Sequence, residues 1–243
     1  TKLRMGLEYF RGKPAAPLPD RTVAEFIGDH YGQETVDYLA EPLLSGVYGG
    51  SVARLSVGSV LTRFVELENK YGSLTRGVLE SRKRAPKSAA PGPLFQTLKG
   101  GLAQLTEELT KRIAGQCDVI TATAQRVQRA DAGFNVRLGD SDLAADQVVM
   151  ACPAWQAGAL LRDVQPRLAA LLEGIEYSSS VTLALGYRRE ECGPIPPGFG
   201  FLVPAKERQT LVACTFVGAK FPYRVPDSHI VLRCFLGGAG SEA

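Results

Sequence analysis

Hydrophobic and polar positions divide the chain into a helical first part and a later part in which helices and strands are mixed. Over residues 1–78, apolar positions recur at the spacing that places them on one face of a helix. The first clear helix opens at Thr22, where Glu25 completes a capping box, and Gly32 is expected to end it. Further helices follow, the last of them interrupted at Gly72. The first part is therefore predicted to be all helical.

The end of the chain consists of short apolar runs with a strand pattern. In the last run, Ile230 and Leu232 alternate with Val231 and Arg233, so the two faces of that strand differ. Together the runs would present a broad apolar surface edged with aromatic rings, although a plain sheet core explains the same pattern. The runs are GFGFLVP (198–204), LVACTFVGAKFP (211–222) and HIVLRCFLGG (229–238). The residues expected on or near that surface are Phe199, Leu202, Thr215 and Phe235.

The middle of the chain changes pattern several times. The predicted pieces are, in order, a helix near 102–113, strands at 119–130, 133–138 and 146–153, helices at 154–161 and 168–172, and a strand near 181–185. Helices and strands do not alternate regularly here, as they would in a doubly wound sheet, so the predicted fold class is α+β.

Residues 80–93, ESRKRAPKSAAPGP, form the clearest linker. This stretch holds four basic residues among Ala, Ser and Pro, and it has too few apolar side chains to offset the entropy of ordering. It is expected to be a mobile loop. Its basic cluster could contact anionic lipid, and a solvated loop without a partner is the simpler interpretation.

Composition excludes several classes of protein. Hydrophobic residues make up 45% of the chain, charged residues 22%, and the net charge of +3 is mild, so nucleic acid is not an expected partner. The five cysteines are scattered without a CxxC pair, which indicates buried thiols in a reducing compartment. No apolar run reaches the roughly 20 residues of a membrane span, and the first residues lack a signal peptide pattern. Both ends look cut from a longer chain.

Motifs that would announce catalysis or metal binding do not occur in the sequence. It contains no HExxH, no phosphate-binding GxxxxGK[ST] loop and no GxGxxG between a strand and a helix. His30 is expected at a helix end, in a surface or capping role, and His229 in a turn beside Asp227 and Ser228. We therefore assign no catalytic residue and no metal ligand.

Four stretches of the chain resemble the FAD-dependent protoporphyrinogen IX oxidase family, which includes the related coproporphyrinogen oxidases and lies within the flavin amine oxidases. They are LSGVYGGSVARLSVGSVLTRFVELENKYGSLTRGVL, FQTLKGGLAQLTEELTKRI, DQVVMACPAWQAGALL, and GFGFLVPAKE with LVACTFVGAKFP and VLRCFLGG. The resemblance implies a helical membrane-associating domain over residues 1–94, including the linker, a middle segment of the FAD-binding domain over 95–165, and a truncated mixed-sheet substrate domain over 166–243.

The same resemblance implies site residues for the cofactor and for the substrate. Val127 would contact the adenine of FAD through its backbone, and Ala151 and Pro153 would lie close to the same half of the cofactor. Thr215 stands where some family members have Leu. The residues implied for the porphyrinogen are Phe199, Gly200, Leu202, Thr215 and Phe235, with Phe235 stacking on a pyrrole ring.

The implied activity is dehydrogenation of protoporphyrinogen IX or coproporphyrinogen III to the porphyrin, with oxygen reoxidising the flavin, in haem biosynthesis. The protein would be cytoplasmic or peripheral at the inner face of a membrane, with homodimerisation open. The chain lacks the family's N-terminal and C-terminal FAD segments and its propionate-binding Arg, so this fragment is expected to bind FAD weakly and to be inactive alone. Two alternatives stay open: a fragment of another flavin amine oxidase or desaturase, and a non-catalytic module that binds tetrapyrrole or membrane.

Overall fold

The computed structural model describes residues 2–84 and 96–238. The chain divides into two compact units, one formed by Thr1–Pro86 with Ser178–Ala243 and the other by Lys87–Tyr177. Both units combine helices with antiparallel strands. The predicted mixture of helix and sheet is therefore confirmed, whereas the predicted domain boundaries stay a prediction.

The first unit begins with a series of short helices. They are α1 (Lys2–Glu8), α2 (Val23–Tyr31), α3 (Gln33–Thr35), a π-helical stretch (Val36–Ala40), α4 (Glu41–Tyr48), α5 (Val57–Val60), α6 (Thr62–Tyr71) and α7 (Leu74–Arg84). The capping box at the start of α2 is present, since the Thr22 hydroxyl accepts from the Glu25 N–H and the Glu25 carboxylate accepts from the Thr22 N–H. Gly32 ends α2 with a φ of +91°, a conformation that favours glycine.

A small apolar core holds these helices together. Val23 and Phe26 on α2 are fully buried, and Leu67 of α6 and Leu74 of α7 pack in the same cluster. Full burial of a side chain the size of Phe contributes about 1.5–3 kcal/mol. The helical spacing read from the sequence thus marks the face that is buried.

The same unit ends in a four-stranded antiparallel sheet in the order β4-β7-β6-β5. Its strands are β4 (Ser180–Arg188), β5 (Gly200–Leu202), β6 (Leu211–Phe216) and β7 (His229–Gly237), and the short helix α11 (Val217–Lys220) follows β6. Each of the three apolar runs at the end of the sequence contains one strand, as predicted.

The second unit contains a three-stranded antiparallel meander and three helices. The elements are α8 (Ala103–Ile113), β1 (Ala124–Arg129), β2 (Phe134–Leu138), β3 (Ser141–Ala145), α9 (Ala154–Leu161) and α10 (Pro166–Glu173). The prediction of a strand at 146–153 was wrong for this structure, because β2 pairs through the tight turn at Gly139 with 141–145 instead. Among the described residues, 146–153 has no strand partner.

The predicted linker begins later than the sequence suggested. Residues 80–84 continue α7, and Glu80 pairs with Lys83 one turn away at 2.7 Å, while 85–93 lie outside the described residues. None of the helices in residues 2–84 and 96–238 combines the length and apolar character that a bilayer span requires.

Candidate functional site

One face of the sheet in the first unit brings together four of the five residues predicted to contact the substrate. Gly200 lies opposite Thr215, Thr215 lies opposite Arg233, and Ala213 lies opposite Phe235. Side chains of directly paired residues share a face in an antiparallel ladder, so these positions form one surface. This surface, called the sheet wall below, consists of Gly200, Leu202, Ala213, Thr215, Arg233 and Phe235.

Phe199 is the predicted contact that the strand register leaves off the sheet wall. Its carbonyl accepts a hydrogen bond from the Phe216 N–H at 2.9 Å, and Phe216 pairs with Leu232 on the opposite face. The ring of Phe199 stands at the strand end, 67% exposed. Its role as a substrate contact stays a prediction, and Phe199 would make that contact at the edge of the sheet wall.

The sheet wall is open beside helix α4. Leu202 is 42% exposed, and its Cδ2 lies 4.0 Å from the position that a Cβ would take at Gly46 of α4. The loop after β5 is tied to the same helix, because Arg208 donates to the carboxylate of Glu41 at 3.2 Å. Leu202 and the partly exposed Phe235 are therefore not sealed in a core, although Ala213 between them is buried, and α4 forms one border of the opening.

Gly200 is required by the neighbouring strand. Its φ is +145°, and a Cβ at this position would lie 2.0 Å from the carbonyl oxygen of Cys214 on β6. Any larger residue would therefore push β5 away from β6. The sequence suggested that this glycine allows a ligand to approach, and the structure adds that it allows a strand to approach.

Sequence reasoning missed two members of the sheet wall, Ala213 and Arg233, and of these Arg233 carries a charge. Its side chain is half-buried, and its Nε is buried without a hydrogen-bond partner in the described part of the chain. The guanidinium carbon lies 5.2 Å from the ring centroid of Phe235. The sequence did indicate this position, because an arginine stands in an apolar strand two residues before Phe235 and therefore on the same face of the strand.

Val127, the predicted adenine contact, lies on the edge strand of the second unit's meander. Its side chain is 2% exposed. The Ala130 N–H donates to the Gly133 carbonyl at 3.2 Å, so the pairs that exchange hydrogen bonds with β2 are the even-numbered residues of β1. The N–H and C=O of Val127 consequently point away from β2, toward an edge of this sheet that has no further strand among the described residues.

The other two predicted cofactor contacts lead into a helix packed on that strand. Pro153 is the residue before the first turn of α9, and α9 packs against β1. Ala151 is exposed two residues earlier. The structure thus places Val127, Ala151 and Pro153 in the same unit, with Ala151 and Pro153 in the segment that leads into the helix packed on β1.

A buried cluster of ionisable residues lies among the helices of the first unit. His30 was expected in a surface or capping role at a helix end, and this was wrong, because it is 2% exposed. Its Nδ1 lies 2.9 Å from Glu8 and its Nε2 lies 3.0 Å from Glu68. Arg21 donates to Glu68 at 2.7 Å. We call Glu8, Arg21, His30 and Glu68 the carboxylate–histidine cluster.

Hydrogen bonds keep both carboxylates of this cluster ionised. Burial alone would raise the pKa of Glu8, but hydrogen bonds from Thr75, His30 and the Leu74 N–H hold that pKa below its ordinary value. Burial likewise opposes ionisation of Glu68, and the donors Arg21 and His30 lower its pKa. The cluster is a structural link between α1, α2, α6 and α7.

A metal site is not assembled in residues 2–84 and 96–238. Those residues contain no group of three or more His, Cys, Asp or Glu side chains that could hold a metal ion. His229 has the Ser228 hydroxyl at 2.9 Å from its Nδ1.

Comparison with known proteins connects this geometry to a family. The sequence profile described as "Flavin containing amine oxidoreductase" matches residues 3–243. Coproporphyrinogen III oxidase of Bacillus subtilis (strain 168) is 28% identical, over 92% of this chain and 48% of its own length. Protoporphyrinogen oxidase 1, chloroplastic, of Arabidopsis thaliana is 27% identical, over 98% of this chain and 48% of its own length.

A solved structure agrees with these relatives. A candidate protoporphyrinogen oxidase from Exiguobacterium sp. 255-15 has a TM-score of 0.81 and 27% identity, over 99% of this chain and 51% of that one. The chain therefore spans about half the length of the relatives that it matches.

Proposed function

Because the chain belongs to the family of flavin containing amine oxidoreductases, we propose that it supplies the substrate surface of an FAD-dependent porphyrinogen oxidase. The reaction would convert protoporphyrinogen IX or coproporphyrinogen III to the porphyrin, with oxygen as the final acceptor. The observation that carries this proposal is the open sheet wall, which is apolar, carries an aromatic ring and lies beside an exposed helix.

A tetrapyrrole fits such a surface for physical reasons. A wide macrocycle needs an extended apolar contact, and ligand sites are typically apolar with a few well-placed polar groups. The ring of Phe235 offers an aromatic face, and an aromatic pair contributes about 0.5–1.5 kcal/mol beyond the area that it buries. Thr215, Leu202 and Gly200 would continue the contact across β6 and β5.

FAD would bind in part through the second unit. The outward N–H and C=O of Val127 form the donor and acceptor pair that an adenine edge requires, and this supports the predicted backbone contact. Ala151 and Pro153 would border the same part of the cofactor. When bound, FAD would supply the hydride acceptor, and the residues of this chain would bind and orient the substrate.

Three predicted properties of the whole protein stay part of the proposal. We propose that it acts in the cytoplasm or at the inner face of a membrane. Exposed apolar side chains on α4, such as Leu43 and Val47, would suit a lipid surface or a second copy of the chain, so a peripheral membrane site and a homodimer both stay open.

Turnover tests the proposal most broadly. The flavoprotein that contains this chain would be mixed with coproporphyrinogen III or protoporphyrinogen IX in air, and porphyrin fluorescence would be followed. We expect porphyrin formation, and we expect Phe235→Ala to raise KM by roughly tenfold because an aromatic contact is lost. Phe10→Ala is the matched control, since that ring is 76% exposed on the helical part. No porphyrin from either substrate would contradict the proposal.

Flavin titration tests what this chain does alone. The sequence has no GxGxxG segment to hold the pyrophosphate, so we expect FAD to bind this chain weakly and without turnover. Flavin fluorescence quenching measures the binding. Tight, stoichiometric FAD binding by the purified chain would overturn this expectation.

A further inference from the structure

We propose that Arg233 binds a carboxylate of the tetrapyrrole and thereby fixes its orientation on the sheet wall, an inference that rests on the function proposed above. Its Nε is buried with no hydrogen-bond partner among the described residues. A buried donor left without a partner costs about 1–3 kcal/mol, and more when it is charged, so native structures rarely keep one without a reason. A bound anion would supply the missing acceptor.

The position of Arg233 suits a substrate that is both flat and acidic. It stands two residues before Phe235 on β7, about 7 Å away along the strand, and on the same face. A propionate extends from the rim of the macrocycle by a short flexible arm. A pyrrole ring stacked on Phe235 would therefore hold its propionate within reach of the guanidinium.

The surroundings of Arg233 leave its charge uncompensated. Its partners across the sheet are Thr215 on β6 and Ala184 on β4, both neutral. Arg21 and Arg208 also have a buried Nε without a hydrogen-bond partner, but each forms an ion pair with a glutamate. In the part of the chain that the structure describes, Arg233 forms no ion pair, and its guanidinium lies over the Phe235 ring. A positive charge at an apolar surface attracts an anion more strongly than it would in water.

The contact with Phe235 explains what holds the guanidinium before the substrate arrives. A cation over an aromatic ring gains about 0.5–2 kcal/mol, depending on exposure. A macrocycle that covers the ring would displace the guanidinium, which then needs another partner. A carboxylate provides a charge-assisted and potentially bidentate hydrogen bond, which is stronger and fits the planar fork of arginine. Substrate stacking and carboxylate binding are thus coupled.

A comparison of acid and ester ligands tests this proposal. The chain would be titrated with coproporphyrin III and with its fully methylated ester in the same mild detergent, and the porphyrin absorption band would report binding. We expect the acid to bind wild type more tightly than the ester. We expect Arg233→Met to weaken acid binding at least about tenfold and to leave ester binding unchanged, and Arg233→Lys to restore part of the loss.

Two controls separate the outcomes. Arg188→Met removes an exposed guanidinium at the far end of β4 and should change neither affinity. Equal binding of acid and ester by wild type, or an equal loss of both in Arg233→Met, would overturn the role of Arg233 while leaving the proposed function intact. Failure of wild type to bind either ligand would overturn the proposed function and this inference with it. The wild-type ratio of acid to ester stays decisive if a variant does not fold.

Discussion

The carboxylate–histidine cluster and the sheet wall both contain charged groups in partly or fully buried surroundings, but the two regions differ in whether those charges have partners within the chain. In the cluster, Glu8 accepts hydrogen bonds from the Ser73 hydroxyl and from the Leu74 and Thr75 N–H groups, in addition to its contact with His30. On the sheet wall, Arg233 has a buried nitrogen without an acceptor among the described residues, beside partly exposed side chains. Arg21 of the cluster also has a buried Nε without a hydrogen-bond partner, but its guanidinium forms ion pairs with Glu68 and Asp29. The cluster therefore pairs its charges within the chain, whereas Arg233 forms no ion pair among the described residues.

The difference separates stability from function. A charge that is fully paired inside the chain holds the fold together, since removing one partner leaves the others buried and unpaired. A buried charged donor that lacks a partner costs about 1–3 kcal/mol or more, and a ligand that supplies the partner removes that cost on binding. Substitution of a charged residue in the cluster should therefore affect unfolding, and substitution of Arg233 on the sheet wall should affect binding.

The largest effect is expected from removing Glu68. Glu68→Ala should lower the free energy of unfolding by about 3–5 kcal/mol, because Arg21 and His30 stay buried without their shared acceptor. Urea denaturation followed by circular dichroism measures the change. Glu66→Ala is the control, because Glu66 is exposed on the same helix and should change stability by less than about 0.5 kcal/mol. Equal effects of both variants would show that the buried cluster contributes no more to stability than an exposed carboxylate on the same helix.

A smaller effect is expected at Gly200. Gly200→Ala should destabilise β5 by about 1–3 kcal/mol and weaken porphyrin binding, because the new Cβ would meet the Cys214 carbonyl at 2.0 Å. Gly198→Ala separates this clash from backbone strain alone, since Gly198 also has a positive φ of +131° but no atom within 4 Å of the new Cβ. Should Gly198→Ala prove the more damaging variant, the close approach of β6 would not be the reason for Gly200.

Local features of this fold could be predicted from the sequence, and pairings between distant segments could not. The Thr22–Glu25 capping box and the helix Ala154–Leu161 follow from neighbouring residues, and the structure has both. The cluster joins Glu8, His30 and Glu68, which lie 22 and 38 residues apart, so no spacing rule announces it. The signal available was only that ionised side chains stand at positions within amphipathic helices.

The candidate site shows the same limit. Parity along β7 predicted which residues share a face with Phe235, but the alignment with Thr215 and Gly200 depends on the register between strands. The prediction of a strand at 146–153 was wrong for a related reason, because a strand forms only where another strand is available to pair with it. The displacement of Phe199 from the sheet wall likewise follows from pairing with Phe216.

Acid should weaken the cluster before it affects the sheet wall. Burial opposes ionisation, but hydrogen bonds nevertheless hold the pKa of Glu8 and Glu68 below the ordinary value of 4.5. A lowered pKa in the folded state stabilises the fold above about pH 4.5, and this stabilisation is lost as the pH falls through the folded-state pKa. Between roughly pH 5 and pH 3, the unfolding free energy of wild type should therefore fall more steeply than the unfolding free energy of Glu68→Gln. Parallel pH profiles of the two proteins would contradict the assignment of this acid sensitivity to Glu68.

Thiol reactivity should differ between the far face of the sheet and the exposed surface. Burial raises the pKa of Cys214 to about 11, with a further contribution from the thiol of Cys234, whose sulfur lies 4.0 Å away. At pH 8 iodoacetamide should therefore modify Cys214 more slowly than the exposed Cys117, by on the order of 100-fold. Peptide mass spectrometry measures both rates. Similar rates would show that this face is open as well.

Hydrogen exchange in the presence of coproporphyrin III tests the central claim most directly. If the sheet wall binds the macrocycle, amide exchange should slow in residues 199–203, 211–216 and 229–237 and stay unchanged in helix α6 (Thr62–Tyr71) of the cluster. Saturating porphyrin binding that leaves the exchange of those strands unchanged would contradict the account.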